Sequence, residues 1–220
     1  MEVDRRETEG RIWFTSDIHG HFHLLDEHLR VNRFDSSEDI LIIGGDVCDR
    51  GPDSQYVLDY LNEPWVYCIR GNHEQLFIAT VDEGFNGPAS LCLWGNGGEW
   101  VFDMYDNGKM EEIMAIYETF KSLPIAIELL TDREKIGIVH AEVPYNDWDR
   151  FREEVHPNEE EITQWARTNY DRGKDVVVGG VDRILCGHTP TTSGEVEVRG
   201  NIWYCDTGSF FTGKLAFFEI

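Results

Sequence analysis

The sequence predicts an α/β fold with a parallel sheet, covering helices and a second, mixed sheet. Short apolar runs recur along the chain, and each is bounded by glycine or polar turns, as buried strands are. Helical patterns follow each of the first three runs, and this alternation of strand and helix is typical of a parallel sheet. The later runs have fewer helices between them, which indicates that their strands pair in a mixed sheet.

The individual elements follow from the periodicity of apolar residues and from the turn residues that interrupt it. The predicted strands are, in chain order, Ile12 to Thr15, Ile40 to Ile43, Trp65 to Ile69, Ile136 to Val139, Arg183 to Cys186, Ile202 to Cys205 and Leu215 to Glu219. The predicted helices are Phe22 to Arg30, Ser54 to Leu61, Glu74 to Val81, Met110 to Leu123 and Glu159 to Tyr170.

The composition indicates a globular protein and argues against several classes of partner. The chain of 220 residues is predicted to form one domain over residues 1–220. Its net charge of −23 argues against broad electrostatic binding to nucleic acid or to an anionic membrane. The apolar runs are far shorter than the ~20 residues that span a bilayer. The polar N-terminus MEVDRRETEG is unlike a signal peptide, so a cytoplasmic location is expected. Five cysteines without a C-x-x-C pair predict buried, reduced thiols.

Residues that can bind metal ions follow the ends of five predicted strands. In an open α/β sheet, ligands bind beyond the carboxyl ends of the strands, so these five loops are expected to meet at one edge. Glycines beside most of the polar residues permit tight turns and close approach of the backbone. The loops contain Asp17-x-His19, Gly45-Asp46-x-x-Asp49-Arg50-Gly51, Gly71-Asn72-His73-Glu74, His140 and Gly187-His188-Thr189.

These residue types suit two divalent cations. In a dinuclear site the ions lie about 3.5–4 Å apart, and a carboxylate that bridges them is needed. Asp46 is placed to be that bridge. Asp17 and His19 lie on the same face of an extended segment and can therefore bind the first ion together. Carboxylate, imidazole and amide groups favour Mn, Fe or Zn over Ca. The ligands expected for the second ion are Asn72, His140 and His188.

The same blocks resemble those of the calcineurin-like metallophosphoesterases. The signature of that family is the ordered series D-x-H, G-D-x-x-D-R-G, G-N-H-E, V-H-A and G-H-T. The form GGDVCDRGPDS with RGNHEQ is similar to the phosphoprotein phosphatase branch. The segments GNGGEW, VHAEVP, QWAR, CGHTP and DTGS are similar to those of the lambda-type phosphatases of bacteriophage and bacteria. The resemblance covers nearly the whole chain, and it implies a central β-sandwich of two mixed sheets flanked by helices.

The resemblance also implies a role for each candidate residue. Two divalent ions, commonly Mn with Fe, Zn or Ni as alternatives, would hold a bridging hydroxide that attacks phosphorus directly. His73 and Asp49 match the catalytic pair, with His73 as the general acid. Arg50, Arg167 and Asn72 are expected to bind the substrate phosphate. The matched metal ligands are Asp17, His19, Asp46, Asn72, His140 and His188. The pattern makes neither His21 nor His23 a ligand, and Arg70 is a candidate for shaping the site.

Three functions are compatible with these features. The first is a metal-dependent phosphomonoesterase that acts on phosphoserine and phosphothreonine in proteins, with phosphotyrosine as a further substrate. The second is a hydrolase of a small phosphorylated metabolite such as a dinucleoside tetraphosphate, because that family shares most of the blocks. The third is a non-catalytic interaction scaffold, which would be expected to lack ligands or the acid. The complete set of residues favours an enzyme, and we expect phosphorylated proteins to be its partners.

Overall fold

The computed structural model describes residues 1–6, 9–153 and 157–220. The strands in these ranges are β1 (Glu2–Asp4), β2 (Ile12–Thr15), β3 (Ile40–Ile43), β4 (Val66–Cys68), β5 (Ala126–Leu130), β6 (Lys135–Val139), β7 (Arg183–Cys186), β8 (Glu197–Arg199), β9 (Ile202–Tyr204) and β10 (Phe217–Glu219). The helices are α1 (Phe22–Val31), α2 (Leu58–Leu61), α3 (Asn72–Asp82), α4 (Pro88–Gly95), α5 (Glu99–Asp106), α6 (Met110–Ser122), α7 (Trp148–Glu153), α8 (Pro157–Trp165), α9 (Thr168–Arg172) and α10 (Ser209–Thr212).

The described strands form two sheets, and both are mixed, as the family resemblance implies. The alternation of strands and helices predicted a parallel first sheet, and this is wrong at its edge, where β10 is antiparallel. The first has the order β10-β2-β3-β4, in which β2, β3 and β4 are parallel and β10 is antiparallel to β2. The second has the order β1-β5-β6-β7-β9-β8. Its β6, β7 and β9 are parallel, whereas β5 and β8 run antiparallel to their neighbours β6 and β9.

The hydrophobic core lies between the two sheets and on both outer faces of the sandwich. Successive side chains of a strand point to opposite faces. Phe14 of β2 is therefore buried in the same cluster as Ile138 and Leu185 of the second sheet. Its neighbour Trp13 packs on the other side, in a cluster with Phe22 of α1 and other helical residues. Burial of each large apolar side chain contributes about 1.5–3 kcal/mol to this packing. Among the described helices, none is long and apolar enough to cross a membrane.

The differences from the predicted elements have local causes. Strand β5 was not predicted because Glu128 interrupts its apolar run; in the structure this buried carboxylate accepts hydrogen bonds from Trp148 Nε1 at 2.6 Å and Arg152 Nη1 at 3.0 Å. The helix predicted from Glu159 to Tyr170 is two helices, α8 and α9, because residues 166 and 167 are not helical. Helices α4 and α5 were also not predicted, since the glycines between them resemble a loop.

The cysteines mostly match the prediction of buried, reduced thiols. Cys48, Cys68, Cys186 and Cys205 are buried, and all five thiols are free. Burial raises the pKa of the Cys48 thiol well above its usual value, which disfavours the reactive thiolate although the residue lies in one of the polar loops. The prediction is wrong for Cys92, which is exposed on α4.

Candidate active site

The loops that were predicted to carry polar residues meet at one end of the sandwich. The N–H of Asp17, after β2, donates a hydrogen bond to the carbonyl of Gly45, after β3, at 3.1 Å. The N–H of His188, after β7, donates to Asp17 Oδ1 at 2.9 Å. The N–H of His73, at the start of α3, donates to Asp46 Oδ1 at 3.0 Å. These hydrogen bonds connect loops from both sheets, so the convergence depends on the sandwich.

The backbone of these loops is strained. Ten non-glycine residues in the described ranges have a positive φ angle, and six of them lie here, with φ between 47° and 69°. Such a conformation costs on the order of 1–3 kcal/mol and persists only where the surrounding structure holds it, as happens at functional sites. The six are Asp17, His19, Asp46, Asp49, Arg50 and His188. The loops are therefore shaped to aim their side chains.

Asp46 lies at the centre of the site. Its Oδ2 is 3.3 Å from His140 Nε2 and 3.8 Å from both His19 Nε2 and His73 Nε2. Two buried groups of possible metal ligands share this residue: one is His19, Asp46 and His73, and the other is Asp46, His140 and His188. Within each group the ligand atoms lie within 4.8 Å of one another. A carboxylate common to two groups is what a bridging ligand requires.

The three predicted histidine ligands share one arrangement, in which a backbone carbonyl fixes one nitrogen of the ring. Because a carbonyl can only accept a hydrogen bond, a hydrogen bond to it places the proton on that nitrogen and leaves the opposite nitrogen available to a metal ion. At His188 the Arg167 Nε–H also faces the nitrogen beside the carbonyl, at 3.2 Å, and competes with this hydrogen bond. Histidines that ligate metals commonly have such a second partner. The pairs are His19 Nδ1 with Cys48 O at 3.0 Å, His140 Nδ1 with Gly44 O at 2.8 Å, and His188 Nε2 with Trp165 O at 3.1 Å.

Asn72 completes the second group. It is the first residue of α3, and its Oδ1 lies 2.9 Å from His140 Nε2 and 2.9 Å from His188 Nδ1. These are the two ring nitrogens that the carbonyls leave available. The amide oxygen and both imidazoles therefore lie close together beside Asp46. The sequence assigns these three residues to the second ion, and that role stays a prediction.

The charges around the histidine rings favour a positive charge between them. Burial lowers the pKa of His19 well below its usual value and, together with the charge on His140, lowers that of His188 to about 3, so both imidazoles are neutral. For His140, burial alone would lower the pKa, but the carboxylates of Asp46 and Asp17 outweigh it and raise the pKa to about 10. The carboxylates thus favour a cation among the donors, and two divalent ions fit this donor set.

Asp17 is buried in the site but outside both groups. Its Oδ2 accepts a hydrogen bond from the hydroxyl of Ser16, and its Oδ1 accepts one from the backbone of His188. Burial and the nearby Asp206 raise the pKa of Asp17 well above its usual value. Burial also raises the pKa of Asp206 to about 6. Since two neighbouring buried carboxylates are stabilised by a cation, the surroundings of Asp17 are compatible with its predicted role.

The predicted catalytic pair is in contact, and a third residue extends it. His73 Nδ1 lies 2.6 Å from Asp49 Oδ2, and Trp100 Nε1–H donates to Asp49 Oδ1 at 2.7 Å. Burial would lower the pKa of His73, but the carboxylates of Asp46 and Asp49 outweigh burial and raise it, which favours the imidazolium. The ring of His73 thus differs from those of the three predicted histidine ligands, because its second nitrogen faces a carboxylate and theirs face backbone carbonyls.

The two predicted phosphate-binding arginines lie beside different groups. The guanidinium of Arg50 has Nη1 2.8 Å from His19 Nε2 and Nη2 3.0 Å from His73 Nε2. Arg167 has its Nε 3.2 Å from His188 Nε2, and its Nη2 donates to the His188 carbonyl at 3.4 Å. Each arginine can therefore offer charge-assisted hydrogen bonds to an anion bound between the groups.

Two supporting residues received no role from the sequence. The buried carboxylate of Glu74 accepts hydrogen bonds from the N–H groups of Asp46 at 3.0 Å, Val47 at 2.9 Å and Gly71 at 2.7 Å, and so joins the loops after β3 and β4. The spacing of a capping box, with glutamate three residues after the N-cap, could have identified it. Trp100 lies in the GNGGEW segment and supports the predicted catalytic pair through its hydrogen bond to Asp49.

His21, His23 and Arg70 each make local contacts of their own. His21 Nδ1 is 2.8 Å from the His19 carbonyl, and the exposed His23 is 3.6 Å from Asp53. Neither belongs to a metal-binding group in the described part of the chain. The N–H of Arg70 donates to the Pro124 carbonyl at 2.8 Å, and its carbonyl accepts a hydrogen bond from Gln164 Nε2 at 3.3 Å.

Comparisons with known proteins give one family. The family model described as calcineurin-like phosphoesterase matches residues 10–205. The serine/threonine-protein phosphatase 2 of Escherichia coli K12 is 33% identical over 212 residues, which cover 95% of this chain and 92% of that protein. A symmetrical bis(5'-nucleosyl)-tetraphosphatase of Buchnera aphidicola is 40% identical, but over only 71 residues, or 31% of this chain and 26% of that protein.

A likeness also exists to solved structures. One of them, named as a candidate diadenosine tetraphosphatase, superposes with a TM-score of 0.64 and covers 99% of this chain and 97% of the other. The sequence identity is 19%, so this likeness shows the fold alone.

Proposed function

The chain belongs to the calcineurin-like phosphoesterase family, and on that basis we propose that it is a phosphomonoesterase that hydrolyses phosphoserine and phosphothreonine in proteins. The observation that carries the proposal is the extent of the likeness to the bacterial serine/threonine phosphatase, which spans nearly the full length of both chains. The likeness in sequence to the tetraphosphatase is confined to about a third of this chain. We infer that phosphotyrosine is a further substrate and that phosphorylated proteins are the partners.

We infer that two divalent ions, with Mn as the proposed metal, bind between the two groups that share Asp46. When bound they would supply the Lewis acidity that activates a water molecule and polarises the phosphate. Asp17 and His19 would complete the first set of ligands, and Asn72, His140 and His188 the second. The carbonyls behind the histidine rings hold the ligating nitrogens in position, and Glu74 fixes the backbone of Asp46. Rigid support of this kind lowers the cost of organising the site.

The arginines and His73 would act on the substrate itself. A phosphate group between Arg50 and Arg167 would accept their N–H groups, and for Arg50 this would replace the contact of Nη2 with His73 Nε2, which is 3.0 Å here. His73 Nε2 is then free to donate a proton to the departing alkoxide. Asp49 keeps the imidazole charged and oriented, and Trp100 holds Asp49. In this mechanism no covalent intermediate with the protein is needed.

Arg50→Ala should weaken the binding of substrate and of inhibitory inorganic phosphate. A hydrogen bond to a charged group contributes about 1.5–3 kcal/mol, so the inhibition constant of phosphate should rise by about 10- to 150-fold. The measurement is inhibition of nitrophenyl phosphate hydrolysis by phosphate in the presence of Mn. Arg30→Ala, on the exposed side of α1, is the control. An unchanged inhibition constant for Arg50→Ala would remove this residue from the phosphate site.

The choice between the two enzymatic functions depends on relative rates. We expect kcat/KM to be higher for phosphoserine and phosphothreonine peptides than for a dinucleoside tetraphosphate, because the full-length likeness is to a protein phosphatase. The assay compares these substrates, a phosphotyrosine peptide and a phosphodiester under identical conditions with Mn. A kcat/KM that favours the dinucleotide by about tenfold or more would make the metabolite hydrolase the better assignment.

A further inference from the structure

A short helical turn near the end of the chain brings aromatic side chains next to the site. Helix α10 lies between Gly208 and Gly213, which both have positive φ angles, of 72° and 69°. Of its two phenylalanines, Phe210 is 39% exposed and Phe211 is 61% exposed. Large apolar side chains that remain exposed beside a polar site often have a role in binding.

This turn is fixed to the loop that carries Asp17. The buried hydroxyl of Ser209 donates to the Asp17 carbonyl at 2.6 Å, and the N–H of Gly208 donates to Asp206 Oδ1 at 2.8 Å. Gly208 has a φ of 72°, which favours glycine, and a β-carbon at this position would also meet the ring of Phe211. Phe210 is therefore presented from a rigid base and not from a loose terminus.

Phe210 contacts the site through Arg50 and His19. The central carbon of the Arg50 guanidinium lies over the Phe210 ring, 4.4 Å from its centroid. The His19 and Phe210 rings meet edge to face, with their centroids 5.6 Å apart and an angle of 84° between their planes. A guanidinium within about 6 Å of the centre of an aromatic face is attracted to it by a cation–π interaction. Among the described residues, Arg50 lies over the ring of Phe210, whereas Phe211 packs edge to face on Phe210 with their centroids 4.8 Å apart.

Arg50 requires such support because it is an exposed residue with a long side chain. Its backbone N–H donates to the Gly97 carbonyl at 2.8 Å, and its guanidinium lies against the ring nitrogens of His19 and His73. A metal ion on His19 and a phosphate that accepted the guanidinium N–H groups would replace both contacts. The Phe210 ring contacts the flat face of the guanidinium and does not use its N–H groups. The contact between Arg50 and Phe210 can therefore persist when phosphate binds. A guanidinium that is already oriented loses less entropy on binding.

We propose that Phe210 is a positioning residue that holds the Arg50 guanidinium in the orientation in which it binds the substrate phosphate. The inference rests on the phosphate-binding role of Arg50 in the proposed function. It does not depend on whether the phosphate is attached to a protein.

The test compares Phe210→Leu, which keeps the apolar volume without the aromatic face, with Phe210→Tyr, which keeps the face. Phe210→Leu should raise the inhibition constant of inorganic phosphate by about 2- to 30-fold, the range of a cation–π contact. It should raise KM for nitrophenyl phosphate similarly and change kcat less, because the contact supports binding in both the ground state and the transition state. Phe210→Tyr should restore the wild-type constants, and Phe211→Leu is the matched control.

A double-mutant cycle decides whether the effect passes through Arg50. In the Arg50→Ala background, Phe210→Leu should cause no further change in the inhibition constant. An equal effect in both backgrounds would overturn the proposal, as would wild-type phosphate binding by Phe210→Leu. Loss of Mn from Phe210→Leu, measured by elemental analysis, would also overturn it and assign the effect to His19. If the wild-type protein does not hydrolyse phosphopeptides but the double-mutant cycle gives the expected result, the proposed protein substrate is rejected and the role of Phe210 stands.

Discussion

His73→Asn should lower kcat on a phosphoserine peptide by about 10²–10⁴-fold, the usual contribution of general acid catalysis. Serine alkoxide is a poor leaving group and needs a proton, whereas nitrophenolate leaves well without one. The loss of kcat on nitrophenyl phosphate should therefore be clearly smaller. KM should change little, because the proton is transferred in the transition state. The measurement is a pair of kcat values, one for each substrate.

His23→Asn is the matched control. His23 is an exposed histidine that follows the first motif in the sequence and lies outside the metal-binding groups. Asp49→Asn should reproduce the pattern of His73→Asn more weakly, because Asp49 only orients and charges the imidazole through its 2.6 Å contact. If His73→Asn slows both substrates equally, His73 is not the acid. Its membership of a group with His19 and Asp46 would then favour a role as a metal ligand.

Asp46→Asn should disrupt both metal sites at once, because this residue is shared by the two groups. The activation of water and the stabilisation of charge by metal ions contribute several kcal/mol, so kcat should fall by about 10³-fold or more. Unlike His73→Asn, the change should affect good and poor leaving groups alike, since the nucleophile is lost. The donor set predicts two ions per chain in the wild-type protein, and elemental analysis of Asp46→Asn should show fewer than two.

Asp53→Asn, which makes the same chemical change outside the groups, should retain both ions and full activity. Chelation of the wild-type protein should abolish its activity, and addition of Mn should restore it. A preparation that elemental analysis shows to be free of metal, and that nevertheless hydrolyses nitrophenyl phosphate at the full rate, would contradict the dinuclear mechanism. Full activity of Asp46→Asn with two bound ions would exclude Asp46 as the bridge.

The strands that carry the motifs were predicted well because each is a short, mainly apolar run. The bounds of β2, β3 and β7 are those that the sequence predicts, and all of their residues except Arg183 are buried. The elements that were not predicted lack this pattern. Strand β5 contains a buried glutamate that only distant partners satisfy, and β8 is partly exposed.

The candidate site was predictable because its chemistry is concentrated in short motifs at strand ends. A strand followed by a turn is a local feature, and the spacing of Asp17 and His19 or of Asp46 and Asp49 can be identified without any knowledge of tertiary contacts. The structure brings these residues into contact distance, and their roles remain predictions. Glu74 and Trp100 were not assigned because their roles appear only when the partners that they hydrogen-bond are known.

The sequence by itself determined the alternation of strands and helices, the residue types of the site and the order of its five loops, since these depend on periodicities of a few residues. Only the tertiary structure decided which nitrogen of each histidine faces Asp46, because the backbone carbonyls behind the rings belong to other loops. It also decided that Trp100 reaches Asp49 and that Phe210 lies on Arg50. These contacts join residues that are distant in the sequence, and such pairs are set by the packing of the two sheets, which no local pattern records.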